Sequence, residues 1–284
     1  MKRIILTLFI ILTQVFSENV VEKINDNSKA MNDILLFTEK PETGLFLDTS
    51  LVIAGIAAWG FTQWDWGTES FHTHSEGWFE KESKTGGSDK VGHLYMTYVL
   101  SRVLSSRMED RGYTLEEASL WGVVSGLTAM TFLEIGDGTS PYGFSKEDWI
   151  ADAIGAGLAY WIRANPRVDD FLDIRVEYWP KNGNEGRSDF TTDYSNMRHL
   201  LAFQLSGFEA IHDTPLRFVE LQAGFYSRGY RSYDTVPESQ HVYVGIGVSI
   251  SALARESKIN VLENVFEFYQ PGHTYVETDI WSRP

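Results

Sequence analysis

The stretch Trp149–Trp179, WIADAIGAGLAYWIRANPRVDDFLDIRVEYW, contains the change of period that decides the fold. Up to Ile162 it is apolar at helical spacing, and Asn165-Pro166 then stops the helix, because proline lacks a backbone donor and restricts the residue before it. From Asp173 the residues alternate, which is the period of a strand. Helical patterns lie before this break and alternating patterns after it.

Working back from the break, four apolar segments have helical character: Ser50–Trp64, Asp89–Leu104, Leu115–Leu133 and Lys146–Ile162. Asp48, Thr49 or Ser50 is the expected cap of the first, and Ser88, after the breaker Gly86-Gly87, that of the second. Thr114 with Glu117 forms a capping box for the third. Ser145 with Asp148 marks the start of the fourth. Each segment is apolar nearly all round, the pattern of a buried helix. The small residues Gly122, Ser125, Gly126, Gly155 and Gly157 permit the close contacts found between membrane helices. The uninterrupted apolar runs are nevertheless short of the ~20 residues a span needs. A compact bundle and a membrane-dipping bundle both stay open.

Working forward, Asp173–Trp179, Arg198–Gly207, Leu216–Tyr226 and His241–Ser251 read as strands, divided by turn-rich stretches such as Asn182-Gly183-Asn184. In the last of them Val242, Val244, Ile246, Val248 and Ile250 share one face. A short helix over Asn260–Tyr269 and an edge strand over Thr274–Trp281 complete the chain. The alternation has the character of an outer-membrane barrel, but four or five strands fall short of the ~8 that such barrels use. The expected fold is therefore α+β: a bundle of about four apolar helices followed by a small antiparallel β-sheet.

At the N-terminus, Lys2 and Arg3 precede an apolar run from Ile4 to Phe16, and Val15-Phe16-Ser17 offers a cleavage site. This is the order of a secretory signal, and the run of about 13 residues is too short for a spanning helix. The expected divisions are a signal over 1–17, a polar lead-in over 18–47, a helical domain over 48–165 and a β-rich region over 166–284. The 284 residues include no cysteine, so disulfides, thiolate metal sites and a lipid-bearing cysteine are excluded. A net charge of −15 argues against nucleic acid as a partner and against a polybasic membrane-surface module. The chain also holds nine Trp, thirteen Tyr and seventeen Phe, a load suited to amphipathic interfaces. Together these features predict an exported envelope protein whose partner is a membrane or another envelope component.

The chemistry-bearing residues stand at three helix ends. Asp89 and His93 share a face at the start of the second helix. Glu134 and Asp137 end the third; Ser145, Asp148 and Asp152 open the fourth. Buried unpaired, such groups are costly, so they should meet one another, a cation or water. One reading is a divalent-cation site, with Asp89, His93, Glu134 and Asp148 as candidate ligands. Another is acid–base catalysis, with His93 and Asp152 as candidate catalytic residues of a cation-dependent hydrolase acting on an envelope lipid or glycan. The plain reading is that Asp89 and Asp148 cap helices, that His93 is a hydrogen-bonded structural histidine and that Glu134 is exposed. Asp152, one turn into an apolar helix, fits the plain reading least. His72-Thr73-His74 with Glu69 and Glu76 is a weaker metal candidate, since alternate residues in a loop point different ways. Gly245-Ile246-Gly247 reads as a strand feature rather than a phosphate loop, since no helix is expected to open behind it. The tryptophans near the helix ends suit either an interfacial belt or core packing.

The run Asp89-Lys90-x-x-His93, then Glu134-x-x-Asp137, then Phe144-Ser145-x-x-Asp148-x-x-Ala151-Asp152-x-x-Gly155 resembles the YfiM-like bacterial family and, more distantly, the VanZ-like membrane proteins. The likeness covers roughly residues 48–165. It implies a periplasmic or outer-membrane-associated location, often with a lipid anchor, and no established reaction. Two departures stand out: the lipoprotein cysteine is missing, and Asp152 takes a position where the family pattern more often has Asn.

Overall fold

The computed structural model describes residues 25–26, 41–180, 189–231 and 234–284. The expected signal, most of the lead-in and the turn at Asn182–Asn184 lie outside them. The described chain is α+β, with four long helices first: α1 (Pro41–Gln63), α2 (Ser88–Asp110), α3 (Leu115–Asp137) and α4 (Lys146–Arg163). A single turn, α5 (Pro166–Asp169), then leads to β1 (Leu172–Tyr178), β2 (Met197–Gln204), β3 (Val219–Arg228) and β4 (Ser239–Val248). Two short helices, α6 (Ile250–Glu256) and α7 (Asn260–Phe266), precede β5 (Tyr275–Arg283).

Local chemistry accounts for most boundaries. Thr114 and Glu117 make the reciprocal capping box of α3, and the Ser145 hydroxyl accepts from the Asp148 backbone to cap α4. Two expected caps fail. Gly87, in the left-handed conformation, precedes α2 without a side-chain cap, and the Ser88 hydroxyl bonds that of Ser227 instead. Helix α1 begins at Pro41, well before Ser50, which puts Asp48 inside it. There the Asp48 carboxylate is buried against the guanidinium groups of Arg107 on α2 and Arg111 just beyond its end.

The helices are not all buried, as their all-round apolarity predicted. The enclosed one is α2, the most polar of the four, which packs against α3, α4 and the sheet. The outer faces of α1, α3 and α4 leave Phe46, Phe61, Trp121, Val124, Trp149 and Ile154 exposed. Close approach to α2 depends on glycine. A Cβ on Gly122 or Gly126 would meet the backbone of Ser105 or Ser101, and one on Gly155 would stand 2.1 Å from the Leu94 carbonyl oxygen.

The five strands form an antiparallel meander in the order β1-β2-β3-β4-β5. The sheet curls. Residues Phe268–Gln270 bond the outer edge of β1 through Val176, and the same segment runs on into β5, the partner of β4. Across the enclosed side, Arg198 of β2 pairs with Glu277 of β5, while the Tyr275 hydroxyl donates to Glu177 of β1. Arg175, fully buried there, is neutralised by Asp173 and Glu220 and also donates to Gln270. Gly224 leaves space for the Tyr243 ring, and Gly247 for Tyr275.

The opposite side of the sheet is apolar. Near β1, Ile174 packs with Tyr95, Tyr98 and Ile162, and His199 lies 5.5 Å from the Tyr95 ring. Farther along, the register aligns Phe203, Leu221, Ile246 and Val276 in one row and Leu201, Ala223 and Val244 in the next, all exposed. The Val242–Val248 face therefore points outward, and the tyrosine and glycines between its residues face in. The fourth strand stops at Val248 because Ser249 caps α6, which takes Ile250 and Ser251 out of the sheet.

Two glycines of α4 should respond oppositely to alanine. Gly155→Ala collides with α2 backbone and should lower stability by about 1–3 kcal/mol. Gly157 has open space around it, so Gly157→Ala should raise stability by about 1 kcal/mol through helix propensity. Thermal unfolding followed by circular dichroism measures both.

Candidate functional site

The first turns of α2 carry Asp89, Lys90, His93 and Thr97 inward. The last turn of α3 brings Glu134, and the capped start of α4 brings Asp148 and Asp152. Because glycine lets these helices approach closely, the three ends meet around one imidazole. His93 Nδ1 lies 3.2 Å from Asp152 Oδ1 and 3.6 Å from Glu134 Oε1. Its Nε2 lies 3.9 Å from Asp89 Oδ1. Thr97 donates to Asp152 Oδ1 at 2.7 Å. The Ser145 backbone N–H donates to Glu134 Oε2 at 3.1 Å, so the turn that caps α4 also holds the end of α3.

Lys90 forms a second focus. Its Nζ lies 2.5 Å from Asp148 Oδ1, 2.8 Å from Asp89 Oδ2 and 3.1 Å from Glu76 Oε2, and the residue is buried. The loop between α1 and α2 supplies Glu76. From the other half of the chain, the Tyr194 hydroxyl donates to Asp89 Oδ1 at 2.7 Å.

Burial and charge act against each other throughout. Burial pushes the Glu134 carboxyl up to about 9, although His93 opposes the shift. Burial likewise raises Asp148, against the pull of His93 and Lys90. Burial works against the charged forms of Asp89 and His93, yet neighbours prevail in both. His93 and Lys90 hold Asp89 well below the usual carboxylate range, and Asp152 and Asp148 hold the His93 imidazolium well above the usual histidine range. Three buried carboxylate oxygens of the cluster accept no hydrogen bond: Glu134 Oε1, Asp152 Oδ2 and Asp148 Oδ1, of which the last is ion-paired with Lys90 Nζ at 2.5 Å. Unpaired buried acceptors of this kind are costly and need an explanation.

The geometry gathers Asp89, His93, Glu134, Ser145, Asp148 and Asp152. It turns Asp137 aside: that carboxylate accepts from Trp66 Nε1 at 2.7 Å, and burial raises it to about 6. The capping reading holds for Ser145 alone, because the Asp89 and Asp148 carboxylates go to Lys90, and Glu134 is buried rather than exposed. The weaker histidine motif is not gathered: His72 lies 3.9 Å from Glu69, whereas Glu76 turns to Lys90. Sequence reasoning gave no role to Lys90, Thr97 or Tyr194. Lys90, His93 and Thr97 stand at spacings of three and four on one helical face, a signal that was present. Tyr194 offers none. Two surface cavities of about 450 Å³, one beside Phe79 and Trp281 and one beside His212 and Arg255, include no residue of the cluster.

Residues 75–164 match the model of a family described as predicted periplasmic lipoprotein (DUF2279). The match spans α2, α3 and α4 and every member of the cluster except Tyr194. Its description agrees with a protein exported to the periplasm or associated with the outer membrane, and it states no activity. No curated protein and no solved structure matches the chain.

Metal-free protein should lose stability as pH rises. Glu134 is favoured neutral in the fold, with its pKa raised, so its contribution is full below the unfolded value near 4.5 and is lost as pH climbs towards about 9. His93, also raised, acts in the same direction above about 6.5. In chelator-treated samples the melting temperature should fall between pH 6 and 9, and Glu134→Gln should flatten that slope.

Proposed function

We propose that this is a membrane-associated envelope protein with a binding or structural role, holding one divalent cation between α2, α3 and α4. His93, Glu134 and Asp152 are its ligands. One observation carries the reading: beside His93, Glu134 Oε1 and Asp152 Oδ2 are sealed from water and accept no hydrogen bond. The donor atoms of the three residues lie within 4.8 Å of one another, close enough for one ion to gather them. One imidazole with two carboxylates suits a borderline ion such as Mn²⁺ or Zn²⁺. Glu134 and the His93 imidazolium must each lose a proton to bind, so affinity rises with pH. The YfiM-like resemblance belongs to the same reading, since the residues that carry it surround His93. Binding is favoured over hydrolysis because Glu134 and Asp152 are closed off inside the bundle, where no substrate reaches them without opening it.

Full-length protein stripped with chelator should take up one Mn²⁺ or Zn²⁺ in calorimetric titration. His93→Ala, Glu134→Gln and Asp152→Asn should each weaken binding at least tenfold, while Asp137→Asn leaves it unchanged. Wild type that takes up no ion, with a melting temperature indifferent to cations, would overturn the cation reading.

Membrane association is supported by the uncharged outer rows of the sheet and the exposed aromatic residues of α3 and α4, since contiguous apolar surface of this kind marks an interaction site. The protein should float with phospholipid vesicles in a density gradient. Replacing Leu221 and Ile246 together by lysine should leave the fold intact and cut the floating fraction several-fold. Equal flotation of the two proteins would remove the sheet from the interface.

A further inference from the structure

Two sets of metal-capable side chains share His93 among the described residues: His93 with Glu134 and Asp152, and His93 with Asp89 and Asp148. The imidazole faces both sets, Nδ1 towards Glu134 and Asp152 and Nε2 towards Asp89, and a neutral ring that ligates through Nδ1 keeps its proton on Nε2. The sets differ in what already neutralises them. Glu134 and Asp152 keep orphaned oxygens. Asp89 and Asp148 are bridged by the ammonium of Lys90, at 2.8 and 2.5 Å, with Glu76 as a third carboxylate at 3.1 Å.

An ammonium surrounded by three carboxylates and 4% exposed is placed as a bound cation would be, but tethered to α2. It carries one positive charge where a divalent ion would carry two, and it cannot leave. We propose that Lys90 occupies a second, latent divalent-cation site formed by the carboxylates of Asp89, Asp148 and Glu76, and so keeps the centre to a single ion. The inference rests on reading His93, Glu134 and Asp152 as a cation site. Without the ammonium, Asp89 and Asp148 are a buried like-charged pair, and a divalent ion such as Mn²⁺ is the ligand class that fits a set of three carboxylates. Glu76, on the loop, can adjust to such an ion, whereas Asp89 and Asp148 are fixed by α2 and α4.

The test is ion stoichiometry in the full chain, loaded with Mn²⁺ and counted by native mass spectrometry. Wild type should hold one ion, Lys90→Gln two, and Lys90→Gln combined with Asp148→Asn one. Lys90→Arg, which keeps the charge, should hold one. Electron paramagnetic resonance provides a second readout, since two neighbouring Mn²⁺ ions broaden the six-line signal of an isolated one. Wild type and Lys90→Gln each holding one ion would overturn the latent site while leaving the first site standing. A wild type that holds none would remove the first site itself. Lys90→Gln that stays unfolded in saturating Mn²⁺ also counts against the proposal, because the ion should replace the missing charge.

Discussion

The helical half is organised by a surplus of negative charge in a space closed to water. Glu76, Asp89, Glu134, Asp137, Asp148 and Asp152 surround two buried basic side chains, Lys90 and His93, while the exposed Lys84 reaches only Glu76 from the rim. Buried carboxylates without counter-charge either take up protons or draw in cations. Both tendencies are present: burial favours the neutral form of Glu134, and Lys90 meets three acids at once. Helix spacing follows from the same constraint. Side chains as short as aspartate reach a common imidazole only if the helix backbones nearly touch, which Gly126 and Gly155 allow. The glycines and the acids are therefore one device. A bulkier residue at either glycine would part the helices and leave His93 facing fewer partners.

Polarity is inverted in both halves. In the bundle, the polar helix α2 is central and the apolar helices stand outside it. In the sheet, the enclosed side holds Arg175, Glu220, Gln204 and Arg198, whereas the outer side exposes valine, leucine, isoleucine and phenylalanine. A charged interior survives where each charge is met by an opposite one, as Arg175 is by Asp173 and Glu220. An apolar exterior survives in water only if something covers it. Together these fit an envelope protein better than a freely diffusing enzyme.

Much of this was legible in the residues. The starts of α3 and α4 are written in local caps, and the alternation of β1 to β4 was plain. The polar cluster was readable because spacings of three and four put its members on single helix faces. What local pattern could not show is long-range pairing. Asp48 has the look of a cap and is instead an ion-pair partner of arginines 59 and 63 residues away. The last strand stops at Val248 because one serine hydroxyl prefers to cap a helix, a choice its alternating pattern conceals. Periodicity also fixes which residues share a face but not which face is buried, and so the outward Val242–Val248 row escaped it.

The same long-range pairing ties the two halves into one site. Tyr194 donates to Asp89, Ser227 bonds Ser88 and the Thr85 carbonyl, and Gln240 donates to the carbonyls of Phe79 and Gly86. Each contact falls on the loop that brings Glu76 to Lys90 or on the first turn of α2. The matched family segment ends at residue 164, before the sheet begins, yet here the sheet and its connections hold down the loop that closes the cluster. Of these bonds only that of Tyr194 reaches a carboxylate of the cluster, so the sheet half touches the centre directly at Asp89, while its other bonds position the loop that carries Glu76 and the start of α2.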